Sequence, residues 1–365
     1  MKTASYAVFL ICFYLLYYKG VDIVKKLLSR GLLLSSVLLV AACSPNNGDD
    51  AQVEETTEEV NQPSEENSDQ TATDSPSDET DKATADGTLT IMDNAEHTVD
   101  VPANPQRVAV FDNGQLDVLQ SLGLSDRVVA TASDILPDYL SEFSDLPVAG
   151  TLFEIDLEVA NAEEPELAIV GARSQESYDG LADTVPTLDL SNTIQNIWET
   201  LQSNLETYGK IFGVEEQAEG KIQGLEEQLT ALAENASSSG LNALFLMTSE
   251  GQLSAYGPGS RFGHVHDLFG YEPVDSDIEV SRHGMDVSVE YVLEKNPDVI
   301  FLLDRGAAIG DESSISEFEE NPVIQETTAY KEGNIVHLSP DMWYLTEGGF
   351  ISFKTMMDEA AQPLN

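Results

Sequence analysis

The chain has 365 residues, with 65 Asp and Glu against 17 Lys and Arg, a formal net charge of −48, 41% hydrophobic residues and two cysteines. Such a length exceeds one small core and suits two domains with additions, and the charge excludes nucleic acid as a partner, since a phosphate backbone is bound by clustered Lys and Arg. Both cysteines, Cys12 and Cys43, fall near the N-terminus, so the remainder carries neither a disulfide framework nor a cysteine zinc site. Acid in this excess keeps a protein dispersed and is tolerated best where salt screens its self-repulsion.

In chain order, an apolar stretch from Ala7 to Tyr18 is too short to span a bilayer comfortably. Lys25, Lys26 and Arg30 then precede an apolar run from Gly31 to Ala42 and the small-residue sequence Val40-Ala41-Ala42-Cys43. A basic patch, an apolar core and small residues before a cleavage point make residues 1–42 a secretory signal peptide. Its end resembles a bacterial lipobox, which implies acylation of Cys43 and an anchor on the outer face of the cell membrane. A retained membrane anchor is the competing reading. Residues 1–20 fit neither, and a start near Val21 is expected. Residues 43–87 form the lipidated cysteine and an acidic linker. Ser44 to Gly87 hold fourteen Asp and Glu, one Lys and almost nothing large and apolar, so an extended, disordered spacer is expected.

Folded structure is expected from Thr88. Thr88 to Met92 and His97 to Val101 alternate as a hairpin, Arg107 to Phe111 reads as a buried strand, and a helix follows over Leu116 to Leu122. Further strands are expected at Val128 to Ala130 and Leu167 to Val170. Ile197, Leu201, Leu205 and Tyr208, then Ile222, Leu225, Leu229 and Leu232, recur at helical spacing. A second α/β region starts with Ala243 to Met247. The boundaries are 88–192 for an N-terminal α/β lobe, 193–238 for a bridging helical segment and 239–365 for a C-terminal α/β lobe.

The two regions share a weak repeat. Glu158, Pro165 and Arg173 recur at an offset of 132 as Glu290, Pro297 and Arg305. In each copy Glu opens a short helix, Pro precedes an apolar strand and Arg follows that strand. An apolar strand, a Gly turn and a helix closing on Gly also recur upstream, over Arg107–Gly123 and Ala243–Gly270. Ligands of open α/β sheets sit beyond the carboxyl ends of strands, so Arg173 and Arg305 are expected to face a shared cleft. Glu158 and Glu290 are either helix-start residues or matched contacts for a symmetric basic partner; both readings stand.

Arg261 lies in the glycine-rich turn Tyr256-Gly-Pro-Gly-Ser-Arg261, His283 in the polar loop Ser281-Arg282-His283-Gly284, and Tyr344 in a Trp-Tyr loop after the Asn334 to Leu338 strand. Three arginines on cleft loops would seek an anionic ligand, since guanidinium is a planar donor that stays charged. Singly, each is more often a surface ion-pair residue. His264 and His266, two apart on a helix, point to different faces. Trp343 is read as a packing anchor for its loop.

The segments SAYGPGSRFGHVHDLFG, SRHGMDVSVEYVLEKNPDVIFLLDR and DMWYLTEGG resemble the ferric-siderophore substrate-binding lipoproteins of ABC importers, over about residues 88–360. The likeness is to the branch that binds catecholate siderophores such as petrobactin. It implies a class III fold, with two α/β lobes bridged by a long helix and a ligand cleft between them, acting as a monomer without an intrinsic cofactor. It places the cleft arginines at Arg173, Arg261 and Arg305, ferric-iron ligands at His283 and Tyr344, and docking contacts for a permease dimer at Glu158 and Glu290. Arg282 is an extra charge, and Met342 stands where an aromatic is common. Cargo would be ferric iron within an anionic chelate, with direct ligation by His283 and Tyr344 only where the chelator is tetradentate. Haem or cobalamin on the same fold is an alternative. A secreted metal-dependent enzyme is disfavoured, because the chain has no HExxH, GxSxG or Gly-rich phosphate loop.

Overall fold

Three apolar runs build the centres of two sheets. β3 (Val108–Val110), β5 (Leu167–Val170) and β11 (Val299–Asp304) are buried at every residue, as expected of parallel strands covered on both faces. The computed structural model describes residues 87–365 except 133–134 and 194–195. The signal segment, Cys43 and the acidic linker up to Asp86 lie outside the described residues.

The hairpin pairs β1 (Thr88–Met92) with β2 (Thr98–Pro102). In the first lobe β4 (Val128–Thr131), β3, β5 and β6 (Thr187–Asp189) lie side by side in that order, all parallel. In the second lobe β7 (Asn242–Ser249), β11 and β12 (Ile335–Leu338) repeat the β3-β5-β6 arrangement, also parallel. The repeat read at an offset of 132 is thus carried by strand order. It departs upstream, where β7 turns back into an antiparallel strand, β8 (Gln252–Tyr256), before the glycine-rich turn. The first lobe has no such insertion. β10 (Met285–Val287) pairs with β8, and a two-residue strand, β9 (Glu272–Pro273), lies beside β7.

Two helices connect the lobes. Ile197–Phe212 ends at Gly213 in the left-handed region (φ 67°), and Glu215–Ser239, about 37 Å long at 1.5 Å per residue, runs to the second lobe. Gly209 allows the tight turn between them, since a Cβ there would lie 3.2 Å from both the Ala218 Cβ and the Glu215 Cα. The C-terminal helix, Phe350–Ala360, packs against the Asn113–Ser121 helix of the first lobe. Asp117 of that first-lobe helix accepts hydrogen bonds from Ile351 N (2.7 Å) and Ser352 N (2.9 Å), and Tyr139 donates to it at 2.7 Å. Burial pushes this carboxyl up to about 6, against the pull of these donors.

One apolar core runs through both lobes, from Val108 and Leu119 by way of Leu205 and Leu229 to Phe245, Phe301 and Met356, while smaller cores back the outer face of each sheet. Its second-lobe end is aromatic. Phe245 stacks on Phe262 (4.7 Å), and His264 stacks on Trp343 (5.2 Å, 17°). Among the described residues no helix is long and apolar enough to cross a membrane.

His264 sets a pH dependence. Burial among these rings holds its imidazole neutral and lowers its pKa from 6.5 to about 4. Unfolding frees it to bind a proton at pH 6.5, so its stabilising effect is complete above that pH and is lost as pH falls towards 4. The wild type is expected to lose roughly 2–3 kcal/mol relative to His264→Phe between pH 7 and 4.5, measured by urea unfolding of both proteins.

Candidate ligand-binding cleft

The carboxyl ends of β5 and β11 open onto a cleft of about 450 Å³ between the lobes. Its lining includes Arg173, Arg261, Arg305, His283 and Tyr344, five residues singled out by sequence and separated by up to 171 positions. Each Arg arrives by a different local device. Arg173 follows β5, where Ser174 Oγ donates to the Phe111 carbonyl (2.9 Å). Arg305 follows β11 and opens a short helix whose first turn is capped by Asp304. Arg261 leaves the glycine-rich turn, in which Gly259 has φ +73° and a Cβ at Gly263 would lie 2.7 Å from the Gly257 carbonyl.

The three guanidinium groups converge on Tyr344. Arg173 Nη2 donates to the Tyr344 backbone carbonyl at 2.6 Å, Arg261 Nη2 to the same oxygen at 3.4 Å, and Arg305 Nε to the phenol oxygen at 3.0 Å. Their central carbons lie 5.5, 4.6 and 5.7 Å from the ring centroid. Arg261 also pairs with Glu347 at 2.9 Å, where both side chains are largely buried, and Arg305 Nη1 donates to Ser249 Oγ at 3.2 Å. Burial alone would raise the Tyr344 pKa, but the Arg305 hydrogen bond and the three positive charges outweigh it and lower the pKa below its ordinary value.

Tyr344 sits on a π-helical turn, Asp341–Leu345, an uncommon geometry that recurs at functional sites. Its neighbours fix it from below: Trp343 is fully buried and its indole donates to Glu359 at 2.7 Å. Trp343 is thus the packing anchor expected from sequence. The far end of the turn is gripped by the first lobe. Asn192 Nδ2 donates to the Glu347 carbonyl (2.9 Å), a Cβ on Gly348 (φ +90°) would overlap the Asn192 side chain, and one on Gly349 would fall 2.4 Å from the Asp117 carboxyl carbon.

His283 is exposed at the rim. Its loop is held by Ser281, whose Oγ accepts from His283 N (3.0 Å), and by Gly284 (φ +79°), where a Cβ would meet the Tyr256 ring at 2.8 Å. Glu158 and Glu290 lie away from the cleft lining, exposed near the N-termini of the Leu157–Ala162 and Val289–Lys295 helices. Those helices are capped at equivalent positions by Asp156 and Ser288.

Sequence reasoning missed much of the rest of the lining. Glu347 and Asp112 place two carboxylates among the cations, and burial pushes the Asp112 carboxyl up against the charge of Arg173. Phe153 and Asn192 also line the cleft. Arg282, noted only as an extra charge, makes a fourth lining arginine. The lining therefore has a formal charge of about +2, four guanidinium groups against two carboxylates, in a chain that carries −48.

Residues 108–342 match the sequence profile of the periplasmic binding protein family. The chain is 38% identical over 266 residues to the petrobactin-binding protein YclQ of Bacillus subtilis, covering 72% of this chain and 84% of that protein. The crystal structure of YclQ superposes with a TM-score of 0.73, at 36% identity, over 76% of this chain and 99% of that one. The periplasmic catecholate-siderophore binding protein VctP of Vibrio cholerae superposes with a TM-score of 0.70 at 32% identity, over 75% of this chain and 99% of that one.

The cluster around Tyr344 has a direct spectroscopic consequence. The ultraviolet difference spectrum between the wild type and Tyr344→Phe is expected to show one phenol ionising at a pH below 10. A midpoint at or above that of free tyrosine would contradict it.

Proposed function

The chain belongs to the periplasmic binding protein family and is a binding protein rather than an enzyme, and on that premise we propose that it is a lipid-anchored, extracytoplasmic receptor that binds a ferric catecholate siderophore and delivers it to an ABC permease. The observation that carries the reading is the local reversal of charge: a positive cleft in a strongly negative protein. Relatives named for petrobactin and for catecholate siderophores support the cargo class.

The chemistry is consistent with that cargo. Ferric iron is a hard acid that favours anionic oxygen, which catecholates supply. A ferric bis-catecholate carries about −1, and with Tyr344 ionised on the metal the charge of the lining balances cargo and phenolate together. Such a tetradentate complex leaves two iron positions, for Tyr344 and the imidazole of His283. A hexadentate tris-catecholate, at about −3, would use the arginines alone and leave both side chains as hydrogen-bonding neighbours. Haem or a corrinoid would need broad apolar walls, whereas Phe153, Ala172 and Met247 are the aliphatic or phenyl side chains of this lining.

Cys43 would carry the lipid, and the acidic linker would hold the binding domain off the membrane. Glu158 and Glu290, exposed at matched places on the two lobes, would meet basic residues of the two permease subunits, so one monomer suffices for a dimeric permease.

Titration with ferric bis- and tris-catecholates, read by tryptophan quenching, tests the cargo. Each of Arg173→Ala, Arg261→Ala and Arg305→Ala is expected to weaken binding by about 1–3 kcal/mol, the range for charge-assisted hydrogen bonds. Unchanged affinity in all three, or capture of haem or cobalamin instead, would overturn the assignment. For docking, the double variant Glu158→Lys, Glu290→Lys is expected to bind cargo normally and to lower iron uptake in cells; normal uptake would remove the glutamates from the interface.

A further inference from the structure

Phe153 is unlike the other cleft residues. It is 64% exposed, and of the exposed large apolar side chains among the described residues it is the one that lines the cleft. Its position is built rather than loose. Thr151 Oγ1 accepts from the backbone N–H of Phe153 (3.2 Å) and of Glu154 (3.1 Å), Thr151 N donates to the Glu154 carbonyl (2.9 Å), and Gly150 bridges to Ile155. Gly150 has φ +86°, and a Cβ there would lie 2.2 Å from the Glu154 carbonyl oxygen, so this tight loop admits no side chain at its base. Leu152 is buried as its anchor, which leaves the next side chain pointing outward.

The internal repeat explains where this loop sits. Extended upstream at the same offset of 132, Thr151 corresponds to His283 and Phe153 to Met285. The Phe153 loop is therefore the first-lobe counterpart of the Arg282-His283 rim loop. One rim offers an imidazole and a guanidinium; the other offers an unpartnered phenyl ring held on a braced turn.

We propose that Phe153 is the arene-recognising wall of the cleft: its ring covers one aromatic ring of the bound chelate, and it makes the site prefer aryl-bearing ferric chelators over aliphatic ones of like charge. The inference rests on the ferric-siderophore reading above and adds a specificity determinant to it. Guanidinium groups answer chiefly to the negative charge and acceptor oxygens that catecholate and carboxylate chelates share. An exposed phenyl ring gains from water only when an apolar face covers it, and ring-on-ring contact adds to that burial.

The test compares the ferric complex of a linear bis(catecholamide) with ferric dicitrate, read by tryptophan quenching, in wild type, Phe153→Ala, Phe153→Leu and Phe153→Tyr. Phe153→Ala and Phe153→Leu are expected to weaken the catecholate by about tenfold and Phe153→Tyr by less than about twofold, with dicitrate unchanged throughout. Equal weakening of both chelates would make Phe153 a general support of the cleft and overturn the proposal. So would unchanged catecholate affinity in Phe153→Ala, including the case in which that variant lowers only cellular uptake. If the wild type binds dicitrate and no catecholate, the cargo reading fails as well; wild-type catecholate binding with an indifferent Phe153→Ala sinks this inference alone.

Discussion

Three guanidinium groups around one tyrosine are the constraint on which the cleft depends. Like charges at this spacing repel, and the repulsion is strongest where water is partly excluded. Tyr344 offsets it by offering its backbone carbonyl to Arg173 and Arg261, its phenol oxygen to Arg305 and its ring face to all three, while Glu347 neutralises Arg261 from the side. The arginines are thereby oriented before any ligand arrives, which removes part of the ordering cost of binding. The same arrangement prepares the phenol to ionise.

Holding that cluster together requires both halves of the molecule. Arg173 and Asn192 come from the first lobe, Arg261 and Arg305 from the second, and Tyr344 with Glu347 just beyond its turn is bonded to all four. The shared apolar core gives the two sheets a common foundation, and Asp117 of one lobe caps the C-terminal helix that follows the turn. The cleft thus sits on one packed foundation that belongs to both lobes.

Much of the architecture was legible in the sequence because parallel strands buried on both faces leave continuous apolar runs, as at Leu167–Val170 and Val299–Asp304. The repeat placed Arg173 and Arg305 at equivalent strand ends, and the fold brings both to one cleft. What stayed hidden was non-local. The Arg261–Glu347 pair joins residues 86 apart, and nothing about a Glu in an acid-rich chain announces a partner. Asp112 caps the Asn113–Ser121 helix and also faces Arg173, and neither role was read from the sequence. Phe153 is a lone apolar residue in a loop, and its exposure is visible only once the Thr151 turn is built. The antiparallel β8 was missed because Gln252–Tyr256 runs directly into the glycine-rich turn and its pairing with β7 is set by the fold.

The wedged turn has a consequence for how this protein tolerates change. Gly348 and Gly349 have no room for even one methyl group, being pressed against Asn192 and Asp117, yet neither lies on the cleft wall. An alanine at either position would force Asn192 or Asp117 to give way, so a loss of binding there would report damage to the support of the cleft and not a contact with the ligand.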